Sequence, residues 1–532
     1  MNPPRERTFS SLPGLAGQTL LEAIRVSSQE LRAPCAGRGN CGKCRVLVHA
    51  GPESVLLDAP AARELEQLSA DDLSRGVRFA CLARFRQAGD VAIELGDDGI
   101  AVPLEQLAVS FDAAIRQAAG ASGQPLRVAV DIGTTTVAIC LVDALTDTVL
   151  SVRTEANAQK SWGSDVVTRI QSVRDDQGAL SAMHKAIVRQ LDRLIHEQLA
   201  AHGRKAAELG LVAVAGNTTM LHLLVGADPS GMACLPFRPV FLEARRLPIA
   251  ECGFKLPAVC QLLLLPGISA FVGADLSAGI LATGLYHAEG MELLLDIGTN
   301  GEIVLGNAQR MLATATAAGP AFEGAQISHG CPGVAGALDH AGAGAEGFWY
   351  TTINDAPLRG ICGSGLLDLI AWLRRSGWMD ETGYLALPDD QDVFRPDPQL
   401  TIGLDQRDIR QLQLAKGAIA AGITLLCQRA GIAVEDITRV HLAGGFGTFM
   451  RADAALDIGL LPAALRGKIR AVGNTSLKGA LLALSRSAAI EVCNRIAGSI
   501  QSVDLAGDAG FQDAFAECML FPEELADDPL YA

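Results

Sequence analysis

Four cysteines constrain this chain more than any other feature in it. Cys35, Cys41 and Cys44 lie on one short loop, spaced x5 and x2, and Cys81 follows after 36 intervening residues. Three thiolates on one loop can close around a single inorganic centre only if the backbone turns sharply between them. Gly37, Gly39 and Gly42 supply that freedom. Amides in such a loop can also donate to cluster sulfurs and tune a potential. A triplet with one remote fourth cysteine is an iron–sulfur arrangement, and zinc held by two cysteine pairs fits it poorly. The first hundred or so residues must therefore bring Phe79-Ala80-Cys81-Leu82 back to the loop.

Around the cysteines, Leu20–Ser28 reads as a short amphipathic helix, and Arg45–Val48 and Val91–Leu95 read as strands. A clear first strand is hard to place. The loop from Ala36 to Cys44 resembles those of plant- and adrenodoxin-type ferredoxins, with the longer x5 spacing of the adrenodoxin variant. That resemblance implies a β-grasp domain over residues 1–98, with a [2Fe–2S] cluster on Cys35, Cys41, Cys44 and Cys81.

The whole chain has 532 residues, enough for two to four domains, and a formal net charge of −15. A surface that acidic argues against nucleic acid as the partner. No apolar run reaches the length of a membrane span, and Met1–Ser10 lacks the apolar stretch of a secretory signal. The expected location is cytoplasmic, where thiols stay reduced. The nine cysteines outside the constellation, from Cys140 to Cys518, read as small buried residues, although Cys331 and Cys362 sit in glycine-rich loops. His222, His329 and His441 read as core or surface histidines.

Residues 99–125 read as a flexible connector, with small residues and Pro125 at its end. From Leu126 onward short apolar runs such as Leu211–Ala215, Leu293–Leu295 and Arg439–Ala443 alternate with helical stretches such as Leu180–Ala201 and Gln411–Ala430. This is an α/β pattern. It divides into 126–290 and 291–510, with an acidic surface tail at 511–532. Val130-Asp131-Ile132-Gly133-Thr134-Thr135 is echoed 165 residues on by Leu295-Asp296-Ile297-Gly298-Thr299-Asn300, which suggests two related halves.

A strand ending in Asp-x-Gly-Thr is a phosphate-hairpin pattern. The glycine lets the turn approach a phosphate, hydroxyls and amides donate to it, and the aspartate can hold Mg²⁺ through water. Two hairpins could pinch a triphosphate and its metal. Gly444-Gly445-Phe446-Gly447 follows a strand and could press a nucleoside against backbone. Asn217-Thr218-Thr219 could line the cleft, and Gly363-Ser364-Gly365 opens a helix that could bind an anion or simply turn tightly.

Together these segments resemble the actin, sugar-kinase and heat-shock-70 ATPase superfamily over residues 126–510. The resemblance implies phosphate contacts from Gly133, Thr134, Thr135, Gly298, Thr299 and Asn300, and a nucleoside site at Gly444, Gly445 and Gly447. Asp131 and Asp296 would hold Mg²⁺ through water. It also implies a first connecting helix over Asp275–Leu285, with Asp275 orienting the attacking water, and a second over Leu414–Gly422. The fold class is thus α/β multidomain: a β-grasp ferredoxin-like domain followed by a two-lobed, ribonuclease H-like ATPase.

A one-electron centre joined to an ATPase suits uphill electron transfer, because a gap of about 200 mV corresponds to roughly 5 kcal/mol. Differential nucleotide binding can shift a conformational equilibrium by that order. The combination resembles the reductive activators of corrinoid proteins. That resemblance implies an ATP-hydrolysing iron–sulfur protein that takes an electron from an external low-potential donor. It would return Co(II) corrinoid to Co(I) in a corrinoid-dependent methyltransferase system, with a homodimer among the assemblies allowed. The chain is short between its cysteine domain and its first phosphate motif. Alternatives stay open: an activator of another low-potential enzyme, a small-molecule kinase with a redox sensor, or a non-catalytic nucleotide-switched binding module.

Overall fold

The computed structural model describes residues 10–26, 44–48, 56–68, 70–95, 107, 109–163, 165–176, 178–298, 300–324, 326–344, 347–387, 391–397, 400–505 and 507–523. Contacts divide the chain into two units. One comprises Met1–Ile100, Ala321–Gln411 and Glu523–Ala532, and the other Ala101–Pro320 and Leu412–Pro522. No helix among the described residues is long and apolar enough to cross a membrane.

The N-terminal elements are β1 (Ser10–Gly14), α1 (Leu20–Val26), β2 (Arg45–Val48), α2 (Ala62–Gln67), α3 (Ala70–Arg75), β3 (Val77–Phe79) and β4 (Gly89–Leu95). The four strands pair antiparallel in the order β1-β4-β2-β3 around a core that includes Leu20, Ile24, Phe79, Phe85 and Ile93. The elusive first strand is Ser10–Gly14. Pro13 masks its alternation and cannot donate to a ladder, which an edge strand tolerates. The Glu64 carboxylate, fully buried, accepts from Arg78 Nε at 2.9 Å and from the Phe79 N–H at 2.8 Å, fixing α2 against β3.

The second unit begins with α4 (Ala113–Ser122), then β5 (Leu126–Ile132), β6 (Thr136–Asp143), β7 (Thr148–Ala156), α5 (Val166–Asp175), α6 (Ala179–Ala201), β8 (Leu209–Gly216), α7 (Thr218–Leu224), β9 (Arg245–Pro248), β10 (Gln261–Leu264) and α8 (Ala274–Thr283). After β11 (Met291–Ile297), β12 (Gly301–Gly306) and β13 (Met311–Thr316), the chain enters the first unit with β14 (Ala337–Gly344), β15 (Gly347–Thr352), β16 (Gly360–Ile361) and α9 (Gly363–Arg375). It continues through α10 (Gln406–Ala430), β17 (Ile437–Ala443), α11 (Gly444–Phe449), α12 (Ala452–Asp457), β18 (Ile469–Gly473), α13 (Thr475–Ser485), α14 (Ala489–Ser499), β19 (Gln501–Ser502) and α15 (Ala509–Met519).

Two six-stranded sheets repeat one plan. In β7-β6-β5-β8-β10-β9, an antiparallel meander (β5, β6, β7) is flanked on β5 by parallel β8 and then by parallel β10. In β18-β17-β11-β12-β13-β19, the meander is β11, β12, β13, flanked on β11 by parallel β17 and β18. The sequence echo is thus a topological one: Asp131 and Asp296 each stand next to last in the first strand of a meander. Strands β5 and β11 are buried along nearly their whole length, as expected of strands covered on both faces. Helix α6 buries Met183, Ile187, Leu191, Leu194 and Leu199, a stripe of helical period.

Three expectations need correcting. Residues 107–125 are not a loose connector in the described part: Leu107 and Phe111 are buried in the second unit's core and α4 follows. The C-terminal stretch is not wholly a surface tail. Residues 509–519 form α15, Phe521 is buried, and Lys416 Nζ donates to the carbonyls of Cys518 and Leu520 at 2.7 and 2.5 Å. Finally, the helix that crosses α8 is α13, not the segment Leu414–Gly422 inside α10. The crossing is tight because a Cβ at Gly479 would lie 2.2 Å from the Ala278 carbonyl oxygen.

Candidate functional site

The first hairpin is shaped from behind. The Gly133 N–H donates to Thr136 O at 2.9 Å, closing a four-residue turn between Ile132 and Val137. The turn's carbonyls are taken up by the protein: Gly133 O by Asn157 Nδ2 at 2.8 Å, Thr134 O by Arg169 Nη2 at 2.6 Å and Thr135 O by the Asn157 N–H at 2.8 Å. Each peptide is planar and trans, so the N–H groups of Thr134 and Thr135 point away from those carbonyls. Asn217 caps α7 and also donates to Thr134 Oγ1 at 3.0 Å, so the Asn217-Thr218-Thr219 segment does meet this hairpin.

The second hairpin is one residue shorter. Ile297 pairs with Gly301, and the Gly298 N–H donates to Asn300 O at 2.9 Å. Thr299 lies outside the described residues. Ala443 pairs with Asp296 in the parallel β17–β11 register, and the glycine-rich segment opens α11 rather than a free turn. Gly444 has φ +80°, and a Cβ there would lie 2.5 Å from Asp296 Oδ1, so only glycine fits. Gly445 faces open space, and Gly447 packs beside Leu442.

Asp131, Asp296 and Asp275 come together in the second unit. Asp131 is gripped on both oxygens, Oδ1 by Ser476 Oγ at 2.7 Å and Oδ2 by Asn474 Nδ2 at 2.8 Å. Asp275, in the first turn of α8, accepts from the Leu276 N–H at 2.9 Å. A fourth acid joins them: Glu302 stands directly opposite Asp296 in the β11–β12 ladder. Burial, reinforced by the neighbouring Asp131, pushes the Asp275 carboxyl up to about 7. Burial, with Asp275 and Asp131 nearby, pushes Asp296 to about 7 as well. Asp131 is raised by burial against the opposing pull of Ser476 and Asn474. Glu302 is raised well above the usual carboxylate range by burial and then by Asp275 and Asp296. Like charges this close disfavour joint ionisation, and a cation would relieve them. Among the described residues no three His, Cys, Asp or Glu side chains converge closely enough to hold a metal by themselves. A cation here would be held largely through water and phosphate, the usual habit of Mg²⁺.

The N-terminal unit holds two of the four constellation cysteines among its described residues. Cys44 and Cys81 are buried, their sulfurs lie 3.1 Å apart, and the Ala80 N–H donates to Cys44 O at 2.8 Å. The turn around Cys81 is anchored further by the Leu21 N–H on Ala80 O at 2.8 Å. Cys35 and Cys41 lie outside the described residues.

Glu302, Asn474, Ser476, Asn157 and Arg169 escaped the sequence reading. Glu302 had a signal, two positions after Asn300 at the start of the answering strand. Asn474 had another, as an Asn-Thr-Ser helix start after a strand. The Gly363-Ser364-Gly365 segment opens buried α9, where a Cβ at Gly365 would lie 2.2 Å from Leu338 O, which gives the glycine a packing role. Cys362 is buried and Cys331 half-buried. His441 pairs with Glu292 at 2.8 Å, His222 receives the Val240 N–H at 2.9 Å, and His329 meets Gly403 O at 3.0 Å.

Residues 290–529 match the family described as the C-terminal domain of RACo, the ASKHA domain, and residues 126–288 match the RACo middle region. The stretch read as a first ATPase lobe therefore coincides with that middle region. The chain is 30% identical over 420 residues to the corrinoid activation enzyme RamQ of Eubacterium limosum, covering 75% of this chain and 70% of that protein. It is 27% identical over 312 residues to the [Co(II) methylated amine-specific corrinoid protein] reductase of Methanosarcina barkeri, covering 53% of this chain and 55% of that protein. Among solved structures, a reductive activator for corrinoid, iron–sulfur protein aligns with TM-score 0.68 and 27% identity over 96% of both chains.

Proposed function

Because the chain belongs to the family of reductive activators of corrinoid proteins, with an ASKHA C-terminal domain, we propose that it restores the Co(I) state of a corrinoid protein by an ATP-dependent, one-electron transfer from a [2Fe–2S] cluster. The observation that carries the reading is the convergence of Asp131, Asp275 and Asp296 from two copies of one sheet plan onto a single acidic site.

On this reading the hairpin N–H groups and hydroxyls at Gly133, Thr134, Thr135, Gly298, Thr299 and Asn300 bind phosphates. Gly444, Gly445 and Gly447 receive the nucleoside, and Asp131 and Asp296 take hydrated Mg²⁺. Asp275 orients a water toward the terminal phosphate. Its raised carboxyl, near 7, can exchange a proton with that water near neutral pH.

Cys35, Cys41, Cys44 and Cys81 are the proposed cluster ligands. The described pair fits that role: two buried sulfurs, side by side, from segments tied by a backbone hydrogen bond. When bound, a [2Fe–2S] cluster stores and releases one electron at a potential set by its surroundings. The acceptor follows from the relatives, which act on corrinoid proteins by name. The electron comes from an external low-potential donor.

The test is anaerobic and optical. The reduced protein is mixed with a Co(II) corrinoid protein, and the Co(I) absorbance is followed with and without Mg-ATP. Co(I) that forms only with Mg-ATP supports the reading. Co(I) at equal rates without nucleotide removes ATP from the mechanism. No Co(I), despite an intact reducible cluster and ATP turnover, moves the acceptor to another low-potential enzyme.

A further inference from the structure

Helix α13 meets Asp131 at one end and the start of α4 at the other. At its N-terminus Asn474 does two jobs: its Oδ1 accepts the Leu477 N–H at 2.7 Å and caps the helix, while its Nδ2 holds Asp131. Ser476, one residue into the helix, holds the other Asp131 oxygen. About 16 Å away along the axis, the C-terminus is clasped by Asp112. The Asp112 N–H donates to Ser485 O at 2.9 Å, and its Oδ2 accepts from both the N–H and Oγ of Ser487 at 2.8 Å. Its Oδ1 lies 3.4 Å from Arg486 Nη1.

The clasp is an unusual use of this aspartate. Asp112 occupies the N-cap position of α4, where such a side chain ordinarily bonds its own helix, yet it makes no such bond. A carboxylate beyond the C-terminus of α13 also sits at the unfavourable end of that helix's dipole. Asp112 stands just past Leu107 and Phe111, both buried in the second unit's core. Between its two ends α13 packs on β5, β8 and α8, with backbone against backbone at Gly479. A helix seated this way moves as a rigid body.

We propose that α13 is a rod that reports the state of Asp131 to Asp112 at the start of α4. This rests on the reading that Asp131 belongs to the nucleotide site. A hydrated cation drawn to Asp131 competes for the two oxygens that Asn474 and Ser476 hold. Weakened there, α13 shifts along its axis and the Asp112 clasp opens. Coupling of this kind is reciprocal: if nucleotide opens the clasp, opening the clasp strengthens nucleotide binding by the same factor. Proximity alone does not establish coupling, so the test measures both directions.

Hydrogen exchange of the full-length protein is compared with and without Mg²⁺ and a slowly hydrolysed ATP analogue, and analogue affinity is measured by calorimetry. The expected result is exchange at the Asp112 and Ser487 amides faster by about fivefold or more, a typical coupling factor. Asp112→Ala, which touches no nucleotide-site group, should raise analogue affinity by a similar factor, and the milder Ser487→Ala should do so in part. Analogue binding with unchanged or slowed exchange at these amides, or unchanged affinity in Asp112→Ala, overturns the rod while leaving the nucleotide site standing. A wild-type protein that does not bind the analogue removes the nucleotide reading and the rod together.

Discussion

Asn474 donates to Asp131 at 2.8 Å across 343 positions of chain, so an aspartate from the first half of the fold is oriented by a helix cap from the second. Asn474→Ala removes both a hydrogen bond to a carboxylate and an N-cap. The cap loss should lower stability by about 1 kcal/mol. The freed carboxylate, no longer oriented, should lower the kcat for ATP hydrolysis by roughly tenfold, the lower end of what one such bond supports. Thermal melts and phosphate release measure the two effects. A variant with the stability loss alone would show that Asp131 needs no help from α13.

Glu302 faces Asp296 across two strands. Glu302→Gln keeps the shape and removes a titratable carboxyl from a crowded acidic site. ATP turnover should fall by about a hundredfold, the scale of a lost acid–base group, with Mg-ATP still bound. Loss of nucleotide binding in place of turnover would make Glu302 a binding group.

The two proposed sites lie in different units of the chain, Asp296 in one and Cys81 in the other. Asp296→Asn should abolish ATP hydrolysis and leave the visible cluster spectrum and iron content unchanged, whereas Cys81→Ser should do the reverse. Loss of both properties in either variant would contradict a division of labour.

The raised carboxyls set a pH dependence. The folded state keeps protons on Asp296 up to about 7, while the unfolded chain loses them near 4. Folded protein thus binds more protons between these limits, and this group's effect on stability worsens as pH rises through that window. Without metal or nucleotide, Asp296→Asn should gain melting temperature relative to wild type between pH 5 and pH 8, and Mg-ATP should narrow the gap. Parallel melting curves for the two proteins across that range would show that Asp296 is not titrating there.

Lys416 is buried, its ammonium pulled down to about 8 by that burial, and it holds two carbonyls of the C-terminal stretch. Lys416→Met leaves those carbonyls without their donor, at a cost of about 1–3 kcal/mol each. Proteolysis within residues 509–523 should quicken before the rest of the molecule unfolds. Cleavage at the wild-type rate would mean that Phe521 and the Gln413 bond to Met519 O seat the segment without Lys416.

Much of this site was legible because it is local. Asp131-Ile132-Gly133 and Asp296-Ile297-Gly298 announce themselves by the buried run before each aspartate and the glycine after it. Helix α6 was read to within a residue from its apolar stripe. What was not legible depends on distant partners. Asn474 and Ser476 look like an ordinary helix start until β5 arrives beside them, and Glu302 gains its meaning from ladder register. The second connecting helix was misplaced because Leu414–Gly422 and α13 are both rich in small and aliphatic residues. Only the close approach of Gly479 to Ala278 tells them apart. Strand β1 was hidden by Pro13, which an edge position permits.

That approach of Gly479 to Ala278 has a further consequence. Where helices meet through side chains, a shift in one is absorbed by rotamers, and the contact behaves like a cushion. Here the Gly479 backbone lies against that of Ala278 with no room for a side chain between them, so the two helices are as close as they can come at this point. A single methyl group at Gly479 has no space to occupy, so the two helices would have to part to admit it.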